Sequence, residues 1–533
     1  MLRTKKALFS VYDKQHLSCF AGELIRLGWT IVASTGTATA LELKGIAVSS
    51  LENLTGLGPI LGHRVFSEHI RVAGALVSEA SDQHDQERND HEIPWFDMAV
   101  VDLYPLSEAI VHAQTEAEVV DATDIGGVTL IRNAVKGRRI ILTMPEHRTV
   151  VLDHLKANGD VPEHVRRKLW TDAEEICARY CLASAEYIGK GLVDGIIGHK
   201  ALDLKYGENP YQSNACLFAI NDDNLGIHHF EQLAGPAPSL VNVTGMDCLL
   251  EVMTRISEVF KKNFDNRSPH IAIGSKHGIP VGASVDWTSG ATAIRKMLWS
   301  NPGVIWGGEV AVNFEISESD AGLLLSDKNR EMLLGSSKWM LQVVMAPSFE
   351  RDGLEMLAAS GNRRIFSNPA IKEPAFPSSP LYRYVRGGFI RQPQANFVPD
   401  YEHLEWTREP LAGADLDTLL LVWAIAWSTH MNGVAIGQDR QLLVSDGQPS
   451  SERAVKNCLA YMADMKPKPD SLVFAANAFL PFVDAAELLI NAGVVAGILP
   501  RGGIRENDIR SFFDRNNVTV AFVDEAYRGF SRH

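Results

Sequence analysis

Lys276 and His277 stand side by side in Ile271-Ala-Ile-Gly-Ser-Lys-His-Gly-Ile-Pro-Val-Gly-Ala283. An apolar run breaks into a cation and an imidazole, and Gly278, Pro280 and Gly282 follow, so a buried strand end should deliver both groups onto a turn. Imidazole exchanges protons near neutrality. A desolvated lysine polarises a carbonyl or protonates a leaving nitrogen. Most adjacent Lys-His pairs lie in solvated turns, so this pair gains weight only from its neighbours.

Two further stretches carry chemistry-bearing residues at useful spacing. Ser34-Thr35-Gly36-Thr37 at a helix start offers backbone N–H groups, hydroxyls and a positive dipole end, which suits a phosphate. Lys14 and Arg64 could supply counter-charge there; the plainer reading is an N-cap. Asp124-Ile-Gly-Gly127 places a carboxylate before two glycines that let backbone approach a ligand, and Arg132 and Lys136 follow four residues apart. The plainer reading there is an Asp N-cap and a solvated basic face.

The elements that must hold these groups alternate strand, turn and helix. Residues 7–11 read as a buried strand, Asp13 as a cap, and Leu17, Phe20, Leu24 and Leu27 as one helix face before Gly28. Strands at 30–33 and 96–101 deliver Ser34-Thr-Gly-Thr37 and Asp102-Leu-Tyr-Pro105, which implies a parallel doubly wound sheet with its site at the strand carboxyl ends. The polar run 82–92 reads as a mobile surface loop. A new domain opens near Lys205-Tyr206-Gly207, residues 360–400 suggest a connection or interface segment, and no clear repeat is visible.

Composition excludes several classes. A chain of 533 residues has room for about two to four domains. A net charge of −14 argues against broad binding of nucleic acid or anionic membrane, so an anionic substrate needs a local basic pocket. Cys19, Cys177, Cys181, Cys216, Cys248 and Cys458 are scattered without a CxxC pair, which suggests buried reduced thiols, no zinc site and a cytoplasmic setting. The first residues lack a signal-peptide core. The most apolar run, 419–427, is too short to span a bilayer and should be a buried helix.

Read in order, Ser10-Val-Tyr-Asp-Lys14, Ser34-Thr-Gly-Thr37, Leu103-Tyr-Pro105, Asp124-Ile-Gly-Gly127, Tyr206-Gly207 with Asn209-Pro210, Lys276-His277, Ala346-Pro347, Gly447-Gln448 and Ala478-Phe479 with Pro481-Phe482 resemble one family over essentially the whole chain. It is the bifunctional purine-biosynthesis family joining aminoimidazole-carboxamide ribotide (AICAR) formyltransferase to inosinate (IMP) cyclohydrolase, and this chain resembles a divergent member. The resemblance implies an α/β chain. Residues 1–198 would be a methylglyoxal-synthase-like cyclohydrolase domain, and 199–375 and 376–533 two cytidine-deaminase-like formyltransferase halves without the deaminase zinc. It further implies an intertwined homodimer with transferase sites at the subunit interface. The ligands would be a small-molecule ribonucleotide and the cosubstrate 10-formyltetrahydrofolate, with no nucleic-acid or membrane partner.

Carried over by position, Lys276 would stabilise charge during formyl transfer, His277 would assist loss of the amine proton and Asn432 would orient that chemistry. Tyr104, Asp124 and Lys136 would serve ring closure. Ser10, Lys14, Ser34, Thr35, Gly36, Thr37, Arg64, Ser67, Gly126 and Gly127 would hold one ribotide, and Lys205, Tyr206, Asn242, Asp484 and Arg528 the other. Trp306, Gly307, Gln342, Ala346, Pro347, Asn477 and Phe479 would meet the folate. The chain departs from the family pattern in its first half at Phe66, where the family has a lysine, in Arg64-Val-Phe-Ser-Glu-His69. A phenylalanine donates no hydrogen bond, so losing that donor could cost a few kcal/mol of transition-state stabilisation. In the transferase half the family residues are replaced by Lys205, Gln342, Ser451, Ala476-Asn477 and Val483, although Arg453 lies near Ser451. Exchanging arginine for Lys205 keeps charge but loses the bidentate fork. These changes leave open an analogue as acceptor, a specialised-metabolism paralogue formylating a different amine, and a catalytically silent nucleotide-binding descendant.

Overall fold

Short apolar strands, each running into a turn and a helix, set the architecture of the N-terminal part. The structure, a computed structural model, describes residues 4–61, 66–463 and 471–529. The chain divides into two compact units, Met1–Ile197 and Gly198–His533. In the first, β1 (Lys6–Ser10), β2 (Thr30–Ala33), β3 (Ser49–Ser50), β4 (Met98–Val101) and β5 (Ile140–Leu142) form a parallel sheet in the order β3-β2-β1-β4-β5. β4 and β5 are buried along their whole length, as strands with both faces covered must be. From β1 the chain steps outward to β2 and β3, then crosses back to β4 and β5. The expected doubly wound sheet therefore has its switch point outside the carboxyl ends of β1 and β4.

Two expectations for this unit fail on local detail. Residues 82–92 are a surface helix, Asp82–Asp90, and not a loop. Ser81 accepts the His84 N–H as its cap, and Gln83–Glu87 and Arg88–Asp85 pairs bridge its turns, so a wholly polar stretch is held by side-chain pairs. Asp13 does not cap the Leu17–Arg26 helix; it accepts the Gln15 N–H, and His16 occupies the cap in a left-handed conformation.

The second unit has a small exposed pair, β6 (His199–Asp203) with β7 (Cys216–Ala219), and then a repeating pattern. An edge strand β8 (Glu231–Ala234) and the helix Leu240–Asn263 lead into the hairpin β9 (His270–Lys276) and β10 (Ile279–Asp286). Parallel strands β11 (Glu309–Val312), β12 (Val343–Ala346) and β13 (Arg364–Ser367) follow, and β13 pairs back with β8. After the isolated hairpin β14 (Leu381–Val385) and β15 (Gly388–Gln392) the order recurs. It runs through edge strand β16 (Glu405–Trp406), the helix Gly413–Trp427, the hairpin β17 (Gly433–Gln438) and β18 (Gln441–Gly447), and parallel β19 (Leu472–Ala476), β20 (Val494–Pro500) and β21 (Thr519–Val523), with β21 pairing back to β16. The 413–427 helix is buried from Leu416 to Trp427, as its apolar run requires.

The two halves meet where β10 pairs antiparallel with β18, giving one twelve-stranded sheet, β16-β21-β20-β19-β17-β18-β10-β9-β11-β12-β13-β8. Trp287 Nε1, just past β10, donates to Asp417 of the 413–427 helix at 3.1 Å, and Arg440 Nε from the β17–β18 turn donates to the same carboxylate at 2.6 Å. The repeat is invisible in sequence yet close in detail. Asn313, after β11, donates its backbone N–H to Ile271 O, accepts the Ile271 N–H at 2.7 Å through its side chain, and donates its amide to Pro269 O. Asn477, after β19, does the same with Gly433, accepting its N–H at 2.8 Å. Both amides are buried in all but a few per cent of their surface.

The expected turn forced by Gly278, Pro280 and Gly282 is tighter than that. Only His277 and Gly278, at φ 54° and 71°, lie between the strands, and Lys276 pairs with Ile279. Pro280 and Gly282 lie within β10 at a register shift. The thiols also differ from expectation: Cys19 and Cys181 are exposed and only Cys177, Cys248 and Cys458 are buried. No helix among the described residues is long and apolar enough to cross a membrane.

Asn313→Ala and Asn477→Ala should each strip partners from several buried backbone groups and cost about 2–4 kcal/mol, read from the shift in chemical-denaturation midpoint. A loss within experimental error at either position would show that these amides are not what pins the hairpins to the sheet.

Candidate functional site

At the switch point of the first unit, four segments converge. Thr37 Oγ1 donates to Val11 O and accepts the Val11 N–H, both at 3.2 Å, and Ser34 Oγ donates to Thr37 at 3.1 Å. Ser34 makes no cap to its own helix, so the first-turn N–H groups of the Thr35–Glu42 helix are left uncapped by that side chain. The plain cap is therefore absent, and those N–H groups remain available to an anion. Thr35 instead donates to Glu52. Asp102, after β4, accepts the N–H groups of Tyr12 and Asp13 and so fixes the loop after β1; burial pushes its carboxyl pKa up against those bonds. Tyr12 and Tyr104 meet edge to face at 5.5 Å across the crevice.

Asp124 caps the Ile125–Lys136 helix, accepting the Gly127 N–H at 2.6 Å, and its own N–H is held by Tyr180 Oη at 2.7 Å. Burial raises the pKa of Asp124, and burial together with the Asp124 charge raises that of Tyr104. Ser67 packs over the same helix start: a Cβ at Gly126 would lie 2.6 Å from Ser67 Oγ, and one at Gly127 would collide with Asp124 and Leu103. The two glycines are what let these groups close on one point.

Three expected members stand apart from this cluster. Lys14 Nζ donates to Val11 O and Tyr12 O, both at 3.0 Å, so its charge is spent on the end of β1. Lys136 is exposed in the last turn of its helix, about 18 Å of helical rise from Asp124. Arg64 lies outside the described residues. Phe66 is partly buried and packed against the core of this unit.

In the second unit nearly all the remaining candidates lie along one edge of the twelve-stranded sheet. The end of β9, the start of β10, the end of β18 and the start of β17 share that edge, together with the starts of β11 to β13 and the ends of β19 to β21. Lys276 Nζ donates to Trp306 O at 2.6 Å, while His277 is exposed at the tip of the hairpin. Gly307 adopts φ 79° and donates to Met340 O, and Arg330 lies over the Trp306 ring at 5.0 Å. Asn242 caps its own helix start with Ser239, and its amide donates to Gln342 Oε1 at 3.3 Å. Tyr206 O accepts the Leu240 N–H, which brings the 205–207 segment to the same helix start; Lys205 lies over the Tyr206 ring at 5.7 Å.

Asn432, at φ 53°, donates to Pro449 O at 3.1 Å just before β17. It is on the Lys276 edge, but β18 and β10 intervene, so the two stand about 14 Å apart by strand spacing. Phe479, half-buried beside Ser451, and exposed Asp484 and Arg528 lie farther along. Two folate expectations do not fit. Ala346 and Pro347 are buried at the far end of β12, about 13 and 17 Å from Gln342 along the strand. Asn477 has no exposed surface, and its amide donates to Ala426 O, Thr429 O and His430 O, so it supports the edge from within.

Sequence reasoning missed Glu309, which opens β11 inside this cluster: Ser275 Oγ donates to it at 3.3 Å, and burial pushes its carboxyl pKa up to about 7. An acid beginning an apolar strand carries no motif. Away from the edge, Asp222, His228 and His229 bring potential metal-ligand atoms within 4.8 Å of one another, which their spacing did not announce.

Comparison with known proteins agrees with the topology. The family model described as "AICARFT/IMPCHase bienzyme" matches residues 137–460, and an "MGS-like domain" matches 16–129. Proteins named "Bifunctional purine biosynthesis protein PurH" from Rhodopirellula baltica and Bacillus mycoides are each 28% identical, over 97% of this chain and 97% and 98% of their own lengths. A solved structure titled "Crystal structure of ForH" is 28% identical and aligns over 36% of this chain and all of its own, with a TM-score of 0.33. The chain belongs to the AICARFT/IMPCHase bienzyme family, with an MGS-like N-terminal domain and a C-terminal AICARFT region.

Proposed function

We propose that this chain transfers the formyl group of 10-formyltetrahydrofolate to the amine of AICAR or a close analogue, and that its first unit binds a ribotide but closes the ring poorly. The observation that carries the transfer is the placement of Lys276 and His277. One is anchored to Trp306 O and the other is presented at the tip of a two-residue hairpin beside it. The acceptor amine is conjugated with a carboxamide and is a weak nucleophile, so base assistance matters most. His277 takes the amine proton as nitrogen attacks the formyl carbon. Lys276 stabilises the oxyanion of the tetrahedral intermediate; the bond from the formyl carbon to N10 then breaks, and the proton taken from the amine is returned to N10 so that tetrahydrofolate leaves neutral.

Trp306, half-exposed under Arg330, with Gly307 and exposed Gln342, offers an aromatic and amide surface suited to a pterin, while Phe479 is on the Asn432 side of the gap. Lys205, Tyr206, Asn242, Asp484 and Arg528 are assigned to the ribotide. The gap between Lys276 and Asn432 within one chain favours a homodimer in which a second subunit completes each transferase site. The halves 199–375 and 376–533 are assigned as the two transferase lobes on their repeated topology, and residues 1–198 as the cyclohydrolase-like domain.

Phe66 favours weakened ring closure. Its ring is drawn into the core, whereas a lysine at that position would extend toward solvent and could reach the ligand. Asp124, Tyr104 and Ser67 remain clustered, so ligand binding should outlast catalysis there.

Purified protein given 10-formyltetrahydrofolate and the aminoimidazole ribotide should release tetrahydrofolate while the formyl intermediate accumulates ahead of inosinate. Absence of any tetrahydrofolate with this acceptor would favour a different amine or a silent nucleotide binder. His277→Ala should lower transfer by roughly 10²- to 10⁴-fold; near-normal turnover would remove the general-base assignment. Phe66→Lys should raise inosinate formation from the formyl intermediate, and an unchanged rate would clear Phe66 of responsibility.

A further inference from the structure

Glu309 has 2% of its surface exposed and opens β11 opposite Ser275 of β9, the residue before Lys276. The Ser275 hydroxyl donates to it at 3.3 Å, and the Asn242 amide is its second side-chain partner. Asn242 in turn reaches Gln342, the residue that precedes β12. The Leu240–Asn263 helix can lie this close only because residue 245 is glycine: a Cβ there would sit 2.6 Å from Glu309 Cδ. A buried acid has thus been given a dedicated cradle by a helix and a strand.

The charged and titratable groups facing it come from three elements. β9 supplies Lys276, β13 supplies Arg364, and Tyr206 lies beyond Arg364. β12 offers only apolar Val343 in register with Glu309, and the helix offers Asn242 and bare Gly245. Arg364 Nε and Nη2 donate to Ala237 O at 3.2 Å, so that guanidinium is already engaged. Lys276, next to Ser275 in β9, adds a favourable charge and is itself anchored through Trp306 O.

We propose that Glu309 is a positioning residue for formyl transfer, whose carboxylate, by accepting from Ser275 and Asn242, fixes the end of β9 that carries Lys276 and sets Asn242 against Gln342. The inference rests on the transferase assignment above. Its electrostatics follow from burial. Desolvation favours the neutral acid, while Asn242, Ser275 and Lys276 favour the anion, and the balance lies at about 7. Near neutrality the site therefore switches between a form with the anchoring charge and one without it. A purely structural acid would tie the helix to the strand in either state and leave the reaction's pH dependence untouched.

In wild-type protein the acid limb of kcat/KM for transfer should reach a limiting slope of about 2, because His277 and Glu309 must both lose a proton. In Glu309→Gln, which keeps the shape and one accepting oxygen, the slope should fall to about 1, with kcat reduced by about 10-fold or more and the protein still folded. Glu309→Asp should restore the second ionisation at a displaced pH. The infrared difference spectrum of wild type minus Glu309→Gln should contain a protonated-carboxyl band that fades as pH rises through about 7. An unchanged slope and rate in Glu309→Gln, with wild type active, overturns this role and leaves the transferase assignment standing. A band that fades in the ordinary carboxylate range overturns it too. A wild-type protein that transfers no formyl group removes the transferase assignment and this role with it.

Discussion

The antiparallel pairing of β10 with β18 is the constraint on which the arrangement of the second unit depends. Without it the unit would be two separate sheets, each ending at its own hairpin. With it, the start of β10 lies level with the end of β18, and Ser445 Oγ reaches Pro280 O at 3.3 Å. The Lys276-His277 hairpin, the Gly447-Gln448 strand end and Asn432 are thereby placed along one line. The seam is closed at its opposite end by Lys296 Nζ on Asp439 at 2.7 Å and by Asp417, buried between Trp287 and Arg440. A buried carboxylate with two donors from different elements fixes their angle more firmly than apolar contact alone, because its lone pairs must be satisfied in one geometry.

In the first unit the same logic works through backbone. Asp102 and Asp124 each turn a partly buried carboxylate toward N–H groups, one holding the loop after β1 and the other the start of a helix. Neither side chain needs a cation to stay in place. The pocket's polarity is built into the scaffold, which is why it can persist where a single reactive side chain has been exchanged for Phe66.

Much of this was legible in the sequence where a residue type has a steric reason to be where it is. The Lys-His-Gly run marks a strand end and a turn because glycine accepts positive φ, though not the turn's two-residue length, and the 419–427 run is apolar on every face because it is enclosed on every face. The polar 82–90 helix was not legible, since its stability comes from a cap and from i,i+3 and i,i+4 pairs and not from an apolar stripe. Asn477 was mistaken for a ligand contact because a buried amide and a ligand-facing amide look alike until their acceptors are known. Glu309 was missed for the converse reason: its partners come from residues 34 and 67 positions away. The internal repeat escaped notice because topology, unlike motif spacing, survives nearly complete replacement of side chains.

That repeat also polarises the edge that carries Lys276. On the second-half side, the helices beginning at Ser451, Val483 and Glu506 start there, because each follows a strand that ends there, and only the one ending at Trp427 finishes there. On the first-half side, the helices ending at Ser300 and Ala358 finish there, and only the one beginning at Leu240 starts there. Aligned peptide dipoles then lay a gradient along the rim, positive over the second half, each end contributing about 0.3–1 kcal/mol. An elongated ligand with an anionic tail meets a surface that already distinguishes its two ends, so its orientation is chosen by the scaffold before any side chain touches it.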